Sequence, residues 1–132
     1  IEIAYTTQIG YGFYIGHFGG IVINGHTIIG NNVNISQGVT IGTNNPNKFA
    51  TIQDKVYIGP GVKIVGNVYV GTCSEIGANA VVIKEVKAYT CVAGVPAKVI
   101  GNRFTVEEVM LHETVLYPVE RRLTEKELKH LK

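Results

Sequence analysis

The chain has 132 residues, 45% of them hydrophobic and 8% aromatic, with a formal net charge of +2. This length fits one domain with a core, and so small a charge, without a dense basic run, argues against binding to nucleic acid or to a membrane surface. The apolar stretches are too short to span a bilayer, and no secretory signal is apparent. Two cysteines do not make a disulfide framework, which favours a reducing cytoplasm.

From the start of the chain, the dominant pattern is an aliphatic residue at every sixth position. This first series comprises Ile3, Ile9, Ile15, Ile23, Ile29, Ile35, Ile41, Ile52, Ile58, Ile64, Val70, Ile76 and Val82. A second series lies two positions before the first and comprises Thr27, Val33, Val39, Val56, Val62, Val68, Ser74, Ala80 and Val86. Because no α-helix has a period of six, we predict six-residue sides, each a short strand and a turn. Three such sides form a triangular coil of 18 residues, and the coils stack.

The residues at the expected corners favour the same interpretation. Three positions after members of the first series come Gly12, Asn32, Gly61 and Asn79, which are types that tolerate a positive φ angle. Each strand is then expected to pair in parallel with the same side of the next coil, about 4.8 Å away. The predicted fold class is therefore all-β, a parallel β-helix built from hexapeptide repeats.

Two breaks in the repeat predict loops. Ile15 and Ile23 are eight positions apart, so two residues are expected to bulge out around residues 17–20. Ile41 and Ile52 are eleven apart, so five extra residues are expected to leave the coil around residues 43–49. In a solenoid, insertions form loops, and loops commonly carry function.

The repeat stops after residue 100, and the remaining chain has a different pattern. Capping boxes at residues 105–108 and 124–127 predict two helices. We therefore expect a β-helix domain over residues 1–101 and a short helical extension over residues 102–132, which covers the end of the coil or supports an oligomer. The chain starts in repeat register without a methionine, so we also expect sequence upstream of it.

Four segments resemble the hexapeptide-repeat acyltransferases, and among these most closely the catalytic half of serine acetyltransferases and their sugar-acetylating relatives. They are residues 9–17, 20–24, 37–42 and 92–100, and the resemblance covers about residues 1–101. It implies a left-handed coil, acetyl-CoA as the acetyl donor, direct transfer to a hydroxyl in a ternary complex, and a homotrimer with active sites between subunits.

Acetyl transfer to a hydroxyl needs a base, and histidine is the usual choice near neutral pH. Of the four histidines, His17 is the one in a register break, with Gly16 before it and two glycines soon after. Position alone leaves a catalytic base and a plain surface loop equally open, whereas the resemblance matches His17 to the family's base. Glu2, 15 residues earlier, lies close to one coil away and aligns with the family's carboxylate partner of that base.

The developing oxyanion needs hydrogen-bond donors, and backbone N–H groups can supply them. Gly42 and Thr43 are the candidates, because the strand leaves for the long loop there. Gln37 is either a structural corner residue or a polar contact in the cleft, and the sequence does not separate these roles.

Acetyl-CoA needs a groove between stacked coils. The resemblance places Pro60, Ala78 and Cys91 at matching contact positions, and the small Ala78 suits the floor of a groove. Lys98 is expected to meet a CoA phosphate, with an ordinary solvated lysine as the alternative. Cys73 lies 18 positions before Cys91, so the two are predicted to stack as thiols in adjacent coils.

The acceptor is less well defined by the resemblance. Gly16 stands where the family usually has an acidic residue, Phe49 replaces the histidine of the long loop, and Lys48 replaces the neighbouring arginine. Lys48 suits the carboxylate of serine, whereas Phe49 suits the face of a sugar, so both acceptors stay open.

Two other functions remain as alternatives: N-acetylation of an amino sugar, which would use the same base and groove, and a structural solenoid without activity. The long insertion disfavours the second, because a flat binding face does not need a protruding loop. No spaced His/Cys cluster of the kind that zinc requires is present in the sequence, so no metal site is expected.

Overall fold

In the computed structural model, residues 1–43 and 45–102 are described, and they form short strands in three sheets, in which β1 to β14 pair in parallel. Sheet A contains β1 (Glu2–Ile3), β4 (Val22–Ile23), β7 (Thr40–Gly42), β10 (Lys63–Val65) and β13 (Val81–Val82). Sheet B contains β2 (Gln8–Ile9), β5 (Ile28–Ile29), β8 (Thr51–Ile52) and β11 (Tyr69–Val70). Sheet C contains β3 (Tyr14–Ile15), β6 (Asn34–Ile35), β9 (Tyr57–Ile58), β12 (Glu75–Ile76), β14 (Thr90–Ala93) and β15 (Lys98–Asn102).

From β1 to β13, successive strands visit the three sheets in turn, so the chain winds through triangular coils. In the last coil a single bridge at Val86 takes the place of a strand in sheet B, and β14 and β15 both lie in sheet C. Three edges result, which we call edge A–B, edge B–C and edge C–A after the sheets that meet there. The predicted fold class, an all-β parallel β-helix of hexapeptide repeats, is confirmed by this topology.

The two aliphatic series form the core. From Ile23 and Thr27 onward, every member of both series is buried, and many have no exposed surface at all. Ile3 and Ile15 are half-buried and Ile9 is 36% exposed, because the first coil contacts a neighbouring coil on one side. Stacking of coils is therefore what removes these side chains from water.

Both predicted register breaks lie where the sequence indicated. Glu2 pairs with Val22, twenty positions later, because two extra residues leave the coil between β3 and β4. Asn34 pairs with Tyr57, twenty-three positions later, because five extra residues leave it between β7 and β8. Strand pairing is continuous on either side of both insertions, so the loops do not interrupt the core.

The predicted corner residues have the expected backbone conformation. Gly12, Asn32, Gly61 and Asn79 all have positive φ angles, between 58° and 73°. Residues with a Cβ rarely adopt this region, and glycine and asparagine tolerate it best. The sharp turn that a triangular coil requires thus explains why glycine and asparagine occupy these corners.

One prediction about the last coil is wrong. Cys91 pairs with Glu75, not with Cys73, since Val86 forms a bridge with Val70 only sixteen positions earlier. The side that ends at Val86 is two residues short, which shifts all later pairing by two. No disulfide joins the two cysteines in the described part of the chain; Cys73 is buried and Cys91 is half-buried.

The two predicted C-terminal helices lie outside the described residues. Within the described residues, Ile1–Gly101 form one compact unit. No helix in this part of the chain is long and apolar enough to cross a bilayer.

Candidate functional site

Edge C–A brings several of the predicted site residues into one column. The coils are joined there by three backbone hydrogen bonds, in which a corner amide donates to a carbonyl of the coil before it. The bonds are Gly38 N to Gly19 O at 2.8 Å, Gly61 N to Gln37 O at 2.9 Å and Asn79 N to Pro60 O at 2.8 Å. The loop around His17 therefore lies at the same edge as the turns that contain Gln37, Pro60 and Ala78.

The corners of this column lie close together because a glycine occupies the point where each corner approaches the next. Gly20, Gly38 and Gly61 all have positive φ angles, of 63°, 72° and 73°. A Cβ at Gly20 would lie 3.5 Å from the Cα of Gly38, and one at Gly38 would lie 3.4 Å from the Cα of Gly61. The glycines thus allow the coils to stack directly beneath the His17 loop.

His17 is exposed and follows β3 after one intervening residue, Gly16. Its loop is tied to the next coil at both ends, since Gly16 N donates to Ile35 O at 2.8 Å and Gly19 O accepts from Gly38 N. Glu2 begins sheet A beside the same edge, where its N–H donates to Ile21 O at 2.7 Å. Both side chains are exposed, and in the described part of the chain no hydrogen bond or ion pair joins them.

The predicted donor-binding residues continue down this edge. Gly59 lies against Ala78, with the amide nitrogen of Ala78 3.0 Å from where a Cβ on Gly59 would be. The next turn is held to sheet A by two backbone bonds, Val81 N to Gly94 O at 3.0 Å and Ala97 N to Val81 O at 2.9 Å. Lys98 follows as the exposed first residue of β15, whereas Cys91 lies on the outer face of sheet C beside Glu75.

The remaining predicted residues lie at a different edge. Gly42, Thr43, Lys48 and Phe49 all lie at edge A–B, where β7 leaves for the long loop. Hydrogen bonds within the loop fix its shape: Asn45 N donates to Thr43 Oγ1 at 3.0 Å, and Lys48 N donates to Asn45 O at 3.0 Å.

Phe49 packs back onto its own chain at this edge. Its ring centroid lies 6.5 Å from that of His26, with the two planes tilted by 33°. The His26 turn is in turn held by His26 N donating to Asn24 Oδ1 at 2.8 Å. Phe49 is half-buried by this packing. The neighbouring Lys48 is exposed, although its backbone N–H is bonded to Asn45 O.

Sheet A separates these two groups of residues. Thr43 lies four positions after Val39 along this side, which is about 13 Å at about 3.3 Å per step of extended chain. Within one chain, the His17 loop at edge C–A is therefore not brought together with Gly42, Thr43, Lys48 or Phe49 at edge A–B.

Sequence reasoning missed Lys63, which occupies a regular repeat position on β10. Its ammonium donates to Gly38 O at 2.8 Å and to Gly61 O at 3.1 Å, so it bridges two coils at edge C–A. A lysine on the outer face of a strand has no distinctive pattern in the sequence. The strand register, which places β10 between β7 and β13, is needed to show that the Lys63 ammonium lies within hydrogen-bond distance of these two carbonyl oxygens.

The described residues contain no group of three or more His, Cys, Asp or Glu side chains arranged to hold a metal ion. The chemistry available at edge C–A is that of an exposed imidazole, a nearby carboxylate and a column of backbone amides and small residues.

Comparison with known proteins points to one family. The bacterial transferase hexapeptide model, which has six repeats, matches residues 49–84. Serine acetyltransferase from Haemophilus influenzae is 39% identical over 105 residues, which are 77% of this chain and 39% of that protein.

Solved structures give the same result. The crystal structure of serine acetyltransferase from Brucella abortus in complex with coenzyme A has a TM-score of 0.71 at 38% identity, covering 75% of this chain and 41% of that one. Soybean serine acetyltransferase complexed with serine has a TM-score of 0.70 at 35% identity, covering 72% and 40%. The chain spans about two fifths of the length of these relatives. With its repeat, its coil topology and these likenesses, the chain belongs to the hexapeptide-repeat transferase family.

Proposed function

We propose that the protein is an acetyl-CoA-dependent O-acetyltransferase that acetylates the hydroxyl of L-serine. The observation that supports this most is the column at edge C–A, where the His17 loop stands above Gln37, Pro60 and Ala78. The relatives that the chain resembles are named serine acetyltransferases, and solved structures of such enzymes contain coenzyme A or serine.

His17 is the proposed general base. It takes the proton from the serine hydroxyl as the oxygen attacks the carbonyl carbon of the thioester. The tetrahedral intermediate then collapses, the carbon–sulfur bond breaks, and the imidazolium returns the proton to the departing thiolate. The products are O-acetylserine and CoA, and no acyl-enzyme forms. Glu2 stabilises the imidazolium when substrate closes the site and reduces the local dielectric.

The donor groove follows edge C–A. Pro60 and Ala78 present small, apolar surface and backbone amide groups to the pantetheine arm, and Lys98 supplies a cation for a phosphate at the lower end. Cys91, on the outer face of sheet C, borders this groove. Gln37 lies one coil below the His17 loop and is the proposed polar contact between the two substrates.

The rest of the site comes from a second subunit. The amides of Gly42 and Thr43 are the proposed oxyanion donors. Gly16, next to His17 in the first subunit, leaves space for the acceptor. Lys48 pairs with the serine carboxylate, and Phe49, fixed by His26, forms the wall beside it. Because sheet A separates these residues from His17 in one chain, we propose a homotrimer in which edge A–B of one subunit meets edge C–A of the next.

We place this activity in the cytoplasm. Cys73 and Cys91 are both present as thiols, and a reducing compartment keeps them so.

The test is acetyl transfer itself. The protein is incubated with acetyl-CoA and L-serine, and CoA release is followed with a thiol-reactive chromophore, with simple saccharides and amino sugars as the other acceptors. We expect turnover with serine and a decrease in kcat of about 10²–10⁴-fold in His17→Ala. His112→Asn is the control, because it replaces a histidine outside the repeats, and it should retain the parent rate. A parent protein that binds acetyl-CoA but transfers to no hydroxyl contradicts the proposal, and transfer to a sugar alone replaces serine as the acceptor.

A further inference from the structure

Lys63 occupies an unusual place for a lysine on an outward-facing strand position. Its side chain does not extend into solvent but turns toward edge C–A, where the ammonium donates to the carbonyl oxygens of Gly38 and Gly61. These two glycines belong to consecutive coils, and both have positive φ angles. One cation therefore holds two turns of the edge at a fixed spacing.

The upper of these turns supports the His17 loop. The N–H of Gly38 donates to the carbonyl oxygen of Gly19 at 2.8 Å, two residues after His17. The carbonyl of the same glycine accepts from Lys63, so both peptide groups that flank the Gly38 Cα are fixed, one by the loop and one by the lysine.

The other end of the His17 loop is held by the hydrogen bond from Gly16 N to Ile35 O, whereas the residues between these two ties are open. A Cβ at Gly19 would meet no atom within 4 Å, and the His17 side chain is exposed. The position of the imidazole is therefore determined by the backbone of its loop and by the turn beneath it. Small displacements of a reacting group are costly, since an error of about 1 Å can reduce a rate by about 10²-fold.

We propose that Lys63 is a positioning residue for catalysis: by clamping the Gly38 and Gly61 carbonyls, it fixes the turn on which the His17 loop rests. The effect on rate depends on the proposed acetyl-transfer function, whereas the effect on the loop does not. Lys63 touches neither substrate in this proposal and acts only through the backbone of edge C–A.

Two measurements on Lys63→Met test this, since methionine retains the apolar stem and removes the three N–H donors. The first is amide hydrogen exchange by NMR without substrate. We expect the Gly38 amide, whose hydrogen bond joins it to Gly19, to exchange at least about 10-fold faster, because local opening becomes easier. Amides of sheet B, such as Gly30 N bonded to Ile52 O, should not change.

The second measurement is steady-state kinetics. We expect kcat to decrease by about 10–100-fold with the KM for acetyl-CoA within about threefold of the parent, because the base is displaced while the donor groove keeps its Gln37–Gly61 and Pro60–Asn79 bonds. Lys87→Met is the matched control, since Lys87 is an exposed lysine at edge B–C. It should change neither exchange nor rate.

Each outcome decides the proposal. Unchanged exchange at Gly38 overturns it whatever the activity. Faster exchange throughout the coils also overturns it, because Lys63 would then stabilise the whole coil and not this turn in particular. Faster exchange at Gly38 with the parent kcat refutes the catalytic role. If the parent protein transfers no acetyl group, the proposed function fails while the exchange data still decide whether Lys63 holds the loop.

Discussion

A composite active site can be tested by combining two inactive subunits. In each site, the proposed trimer joins the His17 edge of one subunit to the Lys48 loop of the next. His17→Ala removes the base from every site of its own homotrimer. Lys48→Glu places a like charge opposite the serine carboxylate in every site of its own, because Lys48 is the exposed cation of the loop. Each variant alone is therefore expected to have less than ~1% of the parent kcat/KM at low serine.

A mixed trimer has a calculable activity. Two subunits of one variant and one of the other give three different junctions around the ring, and in one of them a wild-type His17 edge meets a wild-type Lys48 loop. About one third of the sites are therefore intact in any mixed trimer. Differently tagged variants are co-expressed, the doubly tagged species is purified, and CoA release is measured at subsaturating serine.

The geometry makes this outcome specific. Edges C–A and A–B of one chain are about 13 Å apart across sheet A, so neither half of the site can be completed within a subunit. Lys87→Glu, which makes the same charge change at edge B–C, is the control and should be fully active as a homotrimer. Mixed trimers with no more activity than the two homotrimers would show that His17 and Lys48 act within one chain or that Lys48 has no role. A monomeric parent protein with full activity would refute the composite site outright.

Three further predictions concern the stability of the coil, and each is measured by urea denaturation with an unchanged slope. Ile58→Ala should lower the free energy of unfolding by about 2–5 kcal/mol, because the side chain is completely buried between two coils. Gly61→Ala should lower it by about 1–3 kcal/mol, since its φ of 73° disfavours a Cβ and the new methyl group would collide with Asn79 Oδ1. Thr27→Val should raise it by about 1 kcal/mol, because the buried Thr27 hydroxyl has no hydrogen-bond partner in the described part of the chain. A loss of stability in Thr27→Val, or none in Ile58→Ala, would contradict the packing described for the core.

Most of the fold could be predicted because the repeat is dictated by simple geometry. A triangular coil buries two residues of each six-residue side and turns sharply once, so its core and corner positions appear directly in the sequence. Insertions such as residues 17–20 and 43–49 are visible for the same reason, since they delay the next core residue by a countable number of positions.

The register of the last coil could not be predicted from the same pattern. The two aliphatic series are offset by two residues, so a deletion of two residues moves Val86 from one series to the other without changing its apolar character. Val86 fits the second series by counting, yet it pairs with Val70 of the first. The predicted stacking of Cys73 on Cys91 failed at this point, because only the hydrogen-bonded ladder distinguishes the two registers.

For the candidate site, the sequence singles out individual residues but does not give their arrangement in space. His17 and the 43–49 loop are conspicuous in sequence because they break the repeat, and their edges follow from which strand precedes each of them. Lys63 is inconspicuous because its contacts are with backbone carbonyls, which have no signature in the side-chain pattern. Contacts of this kind depend on the turn of a neighbouring coil, and they become visible only when the register is known.

The distribution of the two insertions supports the proposed trimer. Along each side, inward residues fill the core and outward residues lie on a flat sheet, so extra chain can leave only at an edge without disturbing the pairing. Two insertions at different edges are then held apart by the rigid width of a sheet, and no movement within the coil brings them together. A second subunit, with its edge A–B placed against edge C–A of the first, unites them without distortion of either coil. The same rigidity that separates the two halves of the site in one chain would hold them in a constant geometry in the trimer, which is what a base, a thioester and a hydroxyl require.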